Sequence, residues 1–236
     1  MNYPVNILAE RLPNICTDGK MLENFDKYAC LLEVWNQKIN LTAITEPSQV
    51  VIKHFLDSII LLEYVKLKKG ASIIDVGTGA GFPGIPLKIV RPDLNLTLLD
   101  SLNKRLIFLN EVCSQLSLDS ATIHARAEEG GRDKKLRERY DYATARAVAH
   151  LRELSEYCLP FVKVGGSFIA LKGADAEEEL KESAVAIKKL GGHVENVFTF
   201  NLGAAGGRTI IEIKKDGHTP MEFPRQTAKI KSKPLN

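Results

Sequence analysis

The chain has 236 residues, enough for one α/β domain with an elaboration or for two small domains. Its 44% apolar and 26% charged residues are ordinary for a globular protein, and a chain of this length needs no disulfide or metal to staple its core. A net charge of +3 does not by itself announce a polyanionic partner; no run of 18 apolar residues marks a membrane span, and MNYPVNILAERLP lacks the basic start and apolar centre of a signal peptide.

Cys16, Cys30, Cys113 and Cys158 lie far apart with no C-x-x-C pair. They read as buried free thiols, which implies a reducing compartment, so a cytoplasmic protein is expected.

In chain order, residues 1–66 read as helices. MLENFDKYACLLEVWNQKINL repeats apolar residues at helical spacing, and Asn40 is its expected end. TEPSQVVIKHFLDSIILLEYV is a second amphipathic helix, with Thr45 as the candidate cap and Pro47 in the first turn. No strand pattern precedes residue 71. ASIIDVG is a short apolar run ending at glycine and reads as a first strand, followed by a helix over 81–90. LNLTLLD gives a second strand ending at Asp100, and KRLIFLNEVCSQLSL a helix over 104–118. A third strand ends near Ala125, a fourth runs from Tyr140 to Arg146, and a helix spans 151–159. GGSFIALKG is a fifth strand, AEEELKESAVAIKKLGG a helix, and HVENVFTFNL and GRTIIEIKK two closing strands. This alternation predicts a doubly wound α/β fold whose mostly parallel sheet has an antiparallel edge strand. Ligands of such folds bind beyond the strand C-termini, at the switch point. The expected organisation is a helical segment, 1–66, packed on a core domain, 67–236.

The densest signal is IIDVGTGAGFPG. Glycines after a first strand let backbone approach a ligand that a Cβ would block. The spacing Gly77-x-Gly79-x-Gly81 brings the third glycine one residue earlier than the pyrophosphate-binding pattern. Asp75, just before the first glycine, suits a cationic ligand better than a phosphate. S-adenosylmethionine carries an ammonium and a sulfonium and no phosphate. Asp100 ends the second strand, where an acid can accept hydrogen bonds from both ribose hydroxyls. A methyl-donor site is the leading reading; a nicotinamide or flavin site and a purely structural turn remain open.

After the third strand, Ala127 can offer its backbone N–H to an adenine and Glu128 can accept from the exocyclic amine. The competing reading of Glu128 is an acid favoured at a helix N-terminus. Arg146 ends the fourth strand, where donor and acceptor should meet; the competing reading is a salt bridge to Asp100 or Glu128.

No Asn/Asp-Pro-Pro-aromatic turn for amine methylation appears. Cys158 sits in a helix and reads as core rather than as the nucleophile that C5 methylation requires. No metal-spaced or Ser/His/Asp cluster appears among the five histidines, so no metal is expected. A ring nitrogen with a free lone pair, such as guanine N7, needs no general base, and in-line positioning suffices.

Several segments together carry a family resemblance: WNQKINLT, HFLDS, DVGTGAGFPGIPL, LLDSLNKRLIFL, RAEE, ARAVAHL, ALKG and the late FPR…KPL. The chain resembles the RsmG (GidB-type) family, bacterial 16S rRNA guanine-N7 methyltransferases acting on the 530 loop. The resemblance implies a class I, Rossmann-like methyltransferase fold, S-adenosylmethionine as donor, and 16S rRNA or the 30S subunit as substrate. By motif it implies donor contacts at Gly77, Thr78, Gly79, Phe82, Asp100, Ala127, Glu128 and Arg146, with Arg146 also at the reacting centre. Lys53 stands where many members carry Arg, and it keeps the charge without the planar fork. Lys53, His54, Arg105 and Lys172 are the expected substrate side. His54 and Asp57 share a helix face and can brace the donor pocket or pack as a polar pair between the two parts of the chain. Basic segments at 66–69, 132–139 and 225–233 are expected to favour RNA; the tail FPRQTAKIKSKPLN is either a frayed solvated end or a phosphate-contacting arm. A monomer is expected. The alternatives are a methyltransferase for another RNA, a protein or a small molecule, and a non-catalytic ribosome-binding module.

Overall fold

A computed structural model describes residues 2–16, 18–146, 149–174 and 176–235, without the side chain of Ala204. Ala147 and Val148 of the ARAVAHL motif thus lie outside the described residues.

The chain opens with α1 (Asn6–Arg11) and α2 (Gly19–Ile39). Asp18 caps α2 by accepting from the Lys20 N–H, and Asn40 ends it in the left-handed region. Phe25, Tyr28, Ala29 and Leu32 fall on one buried stripe of α2. The next helix starts as α3 (Pro47–Val50), widens into a π turn (Val51–Leu56), and continues as α4 (Asp57–Ile59) and α5 (Leu61–Tyr64). Its cap is Glu46, not the expected Thr45: the Glu46 carboxylate accepts from the N–H groups of both Ser48 and Gln49. Pro47 has no N–H to offer, so the first donors lie within reach of the residue just before it.

The sheet follows: β1 (Ser72–Val76), α6 (Gly84–Val90), β2 (Asn95–Asp100), α7 (Asn103–Gln115), β3 (Ser120–His124), α8 (Ala127–Gly130), β4 (Tyr140–Arg146) and α9 (Leu151–Cys158). Then come β5 (Val162–Gly173), α10 (Ala176–Lys189), β6 (Gly192–Asn201), β7 (Gly207–Lys215) and α11 (Thr227–Ser232). The strand order is β3-β2-β1-β4-β5-β7-β6. β1 to β5 pair in parallel, and β7 runs antiparallel to both β5 and β6. The antiparallel strand therefore inserts beside the edge, and β6 forms the edge itself. The order reverses at β1, between β2 and β4, so the carboxyl ends of these three strands meet at the switch point.

Alternate side chains of each strand feed two cores. Ile73, Leu96, Leu98 and Ile169 pack with α1 to α7 on one face. Ile74, Leu99, Ala143 and Phe168 pack with α9, α10 and the C-terminal segment on the other. The N-terminal helices contribute Phe25, Tyr28, Phe55 and Ile59 to the same cluster as the sheet.

Two helix boundaries differ from the expectation by three residues. The helix after β1 begins at Gly84 rather than Gly81, because Gly81 has φ +99°, outside the helical region. α7 stops at Gln115 rather than Leu118, and Ser117 turns the chain at φ +54°.

The C-terminal segment is neither frayed nor a free arm. Arg225 makes three hydrogen bonds of 2.6–2.8 Å to Glu156, which is 1% exposed. Ile230 and Leu235 are buried in the second core. Arg132 donates to the carbonyls of Pro224 and Glu222, and Arg137 to those of Phe223 and Thr219. These two cations of the 132–139 segment clamp the tail, Arg137 half-buried and Arg132 still exposed. Lys66, Lys68, Lys69, Lys134, Lys135, Lys229, Lys231 and Lys233 remain exposed.

Candidate active site

The glycine loop is built around Asp75, which is fully buried. Its Oδ2 accepts from the Thr78 hydroxyl at 2.6 Å and from the Gly84 N–H at 3.0 Å. Burial pushes its carboxyl up to about 6, against these hydrogen bonds, which favour the ionised form. Asp75 therefore does not face a ligand, as its charge suggested; it ties the start of the loop to the start of α6. Gly84 is the residue that permits this, since a Cβ there would lie 2.9 Å from Asp75 Oδ2 and 2.8 Å from Leu98 Cδ2. Thr78 is likewise buried, its hydroxyl turned inward to Asp75.

At the tip of β2, Asp100 is 2% exposed. Its Oδ1 accepts from the Leu102 N–H at 2.9 Å; its Oδ2 accepts from the Gly79 N–H at 2.9 Å and from Arg105 at 3.3 Å. Gly79 has φ +61°, a conformation glycine adopts without strain, and open space where a Cβ would stand. A cavity of about 440 Å³ opens here, lined by Gly77, Asp100, Arg105, Ala127, Glu128 and Tyr157 among others, and by Thr227 and Lys231 of α11. That is the size of an ordinary small-molecule site. Glu128 stands in the first turn of α8, and its Oε1 accepts a hydrogen bond from the Thr227 hydroxyl.

A second cavity, of about 320 Å³, lies at the end of β4. Its lining includes Lys53, His54, Asp57, Arg146, Lys172 and Arg208. Arg146 does not pair with Asp100 or Glu128. It reaches the N-terminal helices, donating to Asp57 Oδ2 at 3.1 Å, to the Lys53 carbonyl at 3.0 Å and to His54 Nδ1 at 3.2 Å. The π turn explains the carbonyl contact, because a widened turn presents carbonyls that a regular helix would use internally. Burial lowers the Arg146 pKa, and Asp57 opposes that shift.

Since Nδ1 accepts from Arg146, the His54 proton sits on Nε2, which donates to Thr42 Oγ1 at 2.8 Å. Burial, reinforced by the Arg146 charge, pushes the imidazole down to about 3, so it is neutral. Phe82 stacks beneath His54, with centroids 4.5 Å apart, and beneath Arg146. It is 6% exposed and joins Tyr28 and Phe55, so it is the floor of this polar cluster rather than an open wall of the first cavity.

The expected residues thus divide. Gly77, Asp100, Ala127, Glu128 and Arg105 gather at the first cavity; Lys53, His54, Arg146 and Lys172 gather at the second. Lys172 is held by Glu179 at 2.7 Å and by the Ala149 carbonyl, with a side chain 9% exposed, and Arg105 is paired to Asp100. Sequence reasoning missed Arg208, whose Nε donates to Asp57 Oδ1 at 2.7 Å, and Thr42, Tyr157 and Thr227. Arg208 follows a glycine-rich loop and begins a strand, with no local signal that its partner lies 151 residues earlier. Cys158 is fully buried and its thiol is raised well above the usual range, which fits a core side chain and not a nucleophile.

A parallel sheet reversing at β1, a glycine loop beneath an acid-tipped β2, and a cavity across the strand ends define the class I methyltransferase fold. Aeropyrum pernix fibrillarin, solved with natively bound S-adenosyl-L-methionine, shares it at TM-score 0.54 and 16% identity, over 69% of this chain and 75% of that one. A family model described as rRNA small subunit methyltransferase G matches residues 21–208. The chain is 51% identical over 213 residues to ribosomal RNA small subunit methyltransferase G of Desulforamulus reducens, covering 89% of each. It is also 51% identical to the Acetivibrio thermocellus protein of that name, over 92% of this chain and 90% of the other. The chain belongs to the rRNA small subunit methyltransferase G family.

Proposed function

We propose that this protein is a cytoplasmic enzyme that transfers a methyl group from S-adenosylmethionine to N7 of a guanine in the 530 loop of 16S rRNA. The observation that carries the reading is the pair of cavities at the strand ends, one at the tips of β1 and β2 and the other at the end of β4. The first has the groups an adenosyl moiety needs. Asp100 presents a carboxylate to the ribose hydroxyls, with the exposed side of its Arg105 pair able to yield, and Glu128 with the Ala127 N–H faces an adenine edge. The second supplies a cationic, rigid wall for the acceptor.

The donor brings an electrophilic methyl on a sulfonium. As the N7 lone pair takes the methyl carbon, the C–S bond breaks, its electrons stay on sulfur, and the positive charge moves to the guanine ring. No proton leaves N7, so no general base is required. The neutral, fully engaged His54 agrees with that. The protein's contribution is alignment and a fixed electrostatic frame. Lys53 and Arg146 belong to that frame, with Asp57 neutralising part of the Arg146 charge. Exposed lysines at 66–69 and on α11 offer phosphate contacts.

The deciding experiment supplies labelled donor with 30S subunits, naked 16S rRNA and cell-extract protein, and identifies the labelled product. Label in 7-methylguanosine of 16S rRNA is expected. Label in protein or at another base atom overturns the reading. Raising salt should weaken RNA binding steeply and donor binding hardly at all.

A further inference from the structure

We propose that Thr227 is a positioning residue for the adenine end of the donor site: its hydroxyl holds Glu128 in the orientation that accepts the exocyclic amine. The inference rests on the donor reading above. It assigns a role in that site to the C-terminal segment, which lies beyond the matched family region ending at residue 208.

Glu128 sits in a four-residue helix, α8, at the rim of the first cavity. A glutamate side chain has three rotatable bonds, and nothing in so short a helix selects one arrangement. The selecting contact comes from 99 residues away: the Thr227 O–H donates to Glu128 Oε1. A hydroxyl has one proton. That proton is committed to Glu128. The bond leaves Oε2 to accept from a ligand, and Thr227 and Glu128 line the same cavity.

Thr227 can act this way only if α11 is fixed. Three features fix it. The Arg225–Glu156 pair lies immediately before it, Ile230 is buried at 1% exposure, and Arg132 and Arg137 grip the carbonyls of residues 219–224. The tail is therefore a rigid wall of the donor pocket.

The test is calorimetric titration of the full chain with S-adenosylhomocysteine and with its analogue carrying hydrogen in place of the exocyclic amine. Wild type should prefer the amine-bearing ligand. Thr227→Val should lose about tenfold in affinity for it, the worth of a well-placed hydrogen bond to a charged group, and leave the analogue's affinity nearly unchanged. Thr227→Ser should restore the preference. A wild type that binds neither ligand overturns the donor reading and this inference with it; one that binds both equally leaves the donor reading standing and overturns this inference. A wild type that discriminates, with a Thr227→Val variant that discriminates as well, overturns this inference alone. Equal loss of both ligands in Thr227→Val overturns it too, since a merely structural role predicts that pattern.

Discussion

Arg146, at the end of β4, is bonded to Asp57, which sits 89 residues earlier on the N-terminal helices, at 3.1 Å. Asp57 spends its other oxygen on Arg208 at 2.7 Å, so one carboxylate joins the helical segment to two strands of the sheet. This makes the second cavity a product of three chain regions, none of which forms it alone.

Asp57→Asn should therefore act on geometry as well as stability. It leaves two largely buried guanidinium groups without a counter-charge, a loss of about 3 kcal/mol in urea unfolding. Donor affinity, measured by calorimetry, should change little, because Asp57 lines only the second cavity. Methyl transfer should fall by more than the unfolded fraction explains. Parallel loss of donor affinity would show that the two cavities are not separable.

His54 gives a pH dependence of defined sign. Its folded pKa, about 3, lies below the ordinary 6.5. As pH falls, the unfolded chain takes up this proton first, so the stability His54 contributes is complete above about 6.5 and is lost on the way down to 3. Between pH 7.5 and 5 the loss is about 2 kcal/mol. Urea midpoints of wild type and His54→Gln across that range should diverge by this amount, wild type showing the steeper fall. Parallel curves would mean that folding leaves the His54 pKa at its ordinary value.

Gly84→Ala tests the Asp75 tie. The new Cβ would press on Leu98 and on the Asp75 carboxylate, at 2.8 and 2.9 Å, inside a packed core. Overpacking of this kind costs roughly 1–3 kcal/mol. The shifted loop should also weaken donor binding, although the substituted position touches no part of the first cavity. A variant with wild-type stability and donor affinity would remove the loop-anchoring role assigned to Asp75.

For the C-terminal anchor, Arg225→Ala strands a buried Glu156 carboxylate and should cost about 3–5 kcal/mol. The double variant Arg225→Met with Glu156→Leu should recover most of that loss, because it removes both charges together. Thermal unfolding of the two variants side by side checks it. A double variant no better than the single one would mean that Arg225 acts through its bond to the Lys233 carbonyl instead.

Much of this protein was legible from local pattern. The strands ending at Val76, Asp100 and Arg146, the helices between them and the glycine turn are encoded in runs of a few residues, where side-chain period and turn chemistry decide the outcome. The acid at the tip of β2 could be assigned a direction, because the strand dictates it. Where the sequence misled, the deciding contact was distant. Asp75 looked like a ligand group and is turned inward by Thr78 and Gly84, and Phe82 looked like a pocket wall and lies under His54. Arg132, Arg137 and Arg225 looked like phosphate contacts and hold the tail.

Charge, spacing and residue type are properties of the chain itself, so the sequence determined the fold class and which residues cluster at the strand ends. A charged side chain's partner is set by whichever opposite charge or carbonyl folding brings within about 3 Å, in surroundings where leaving it unpaired is costly. That choice joins Arg146 to Asp57, Asp57 to Arg208 and Thr227 to Glu128 across 89, 151 and 99 residues. No stretch of a few residues encodes it.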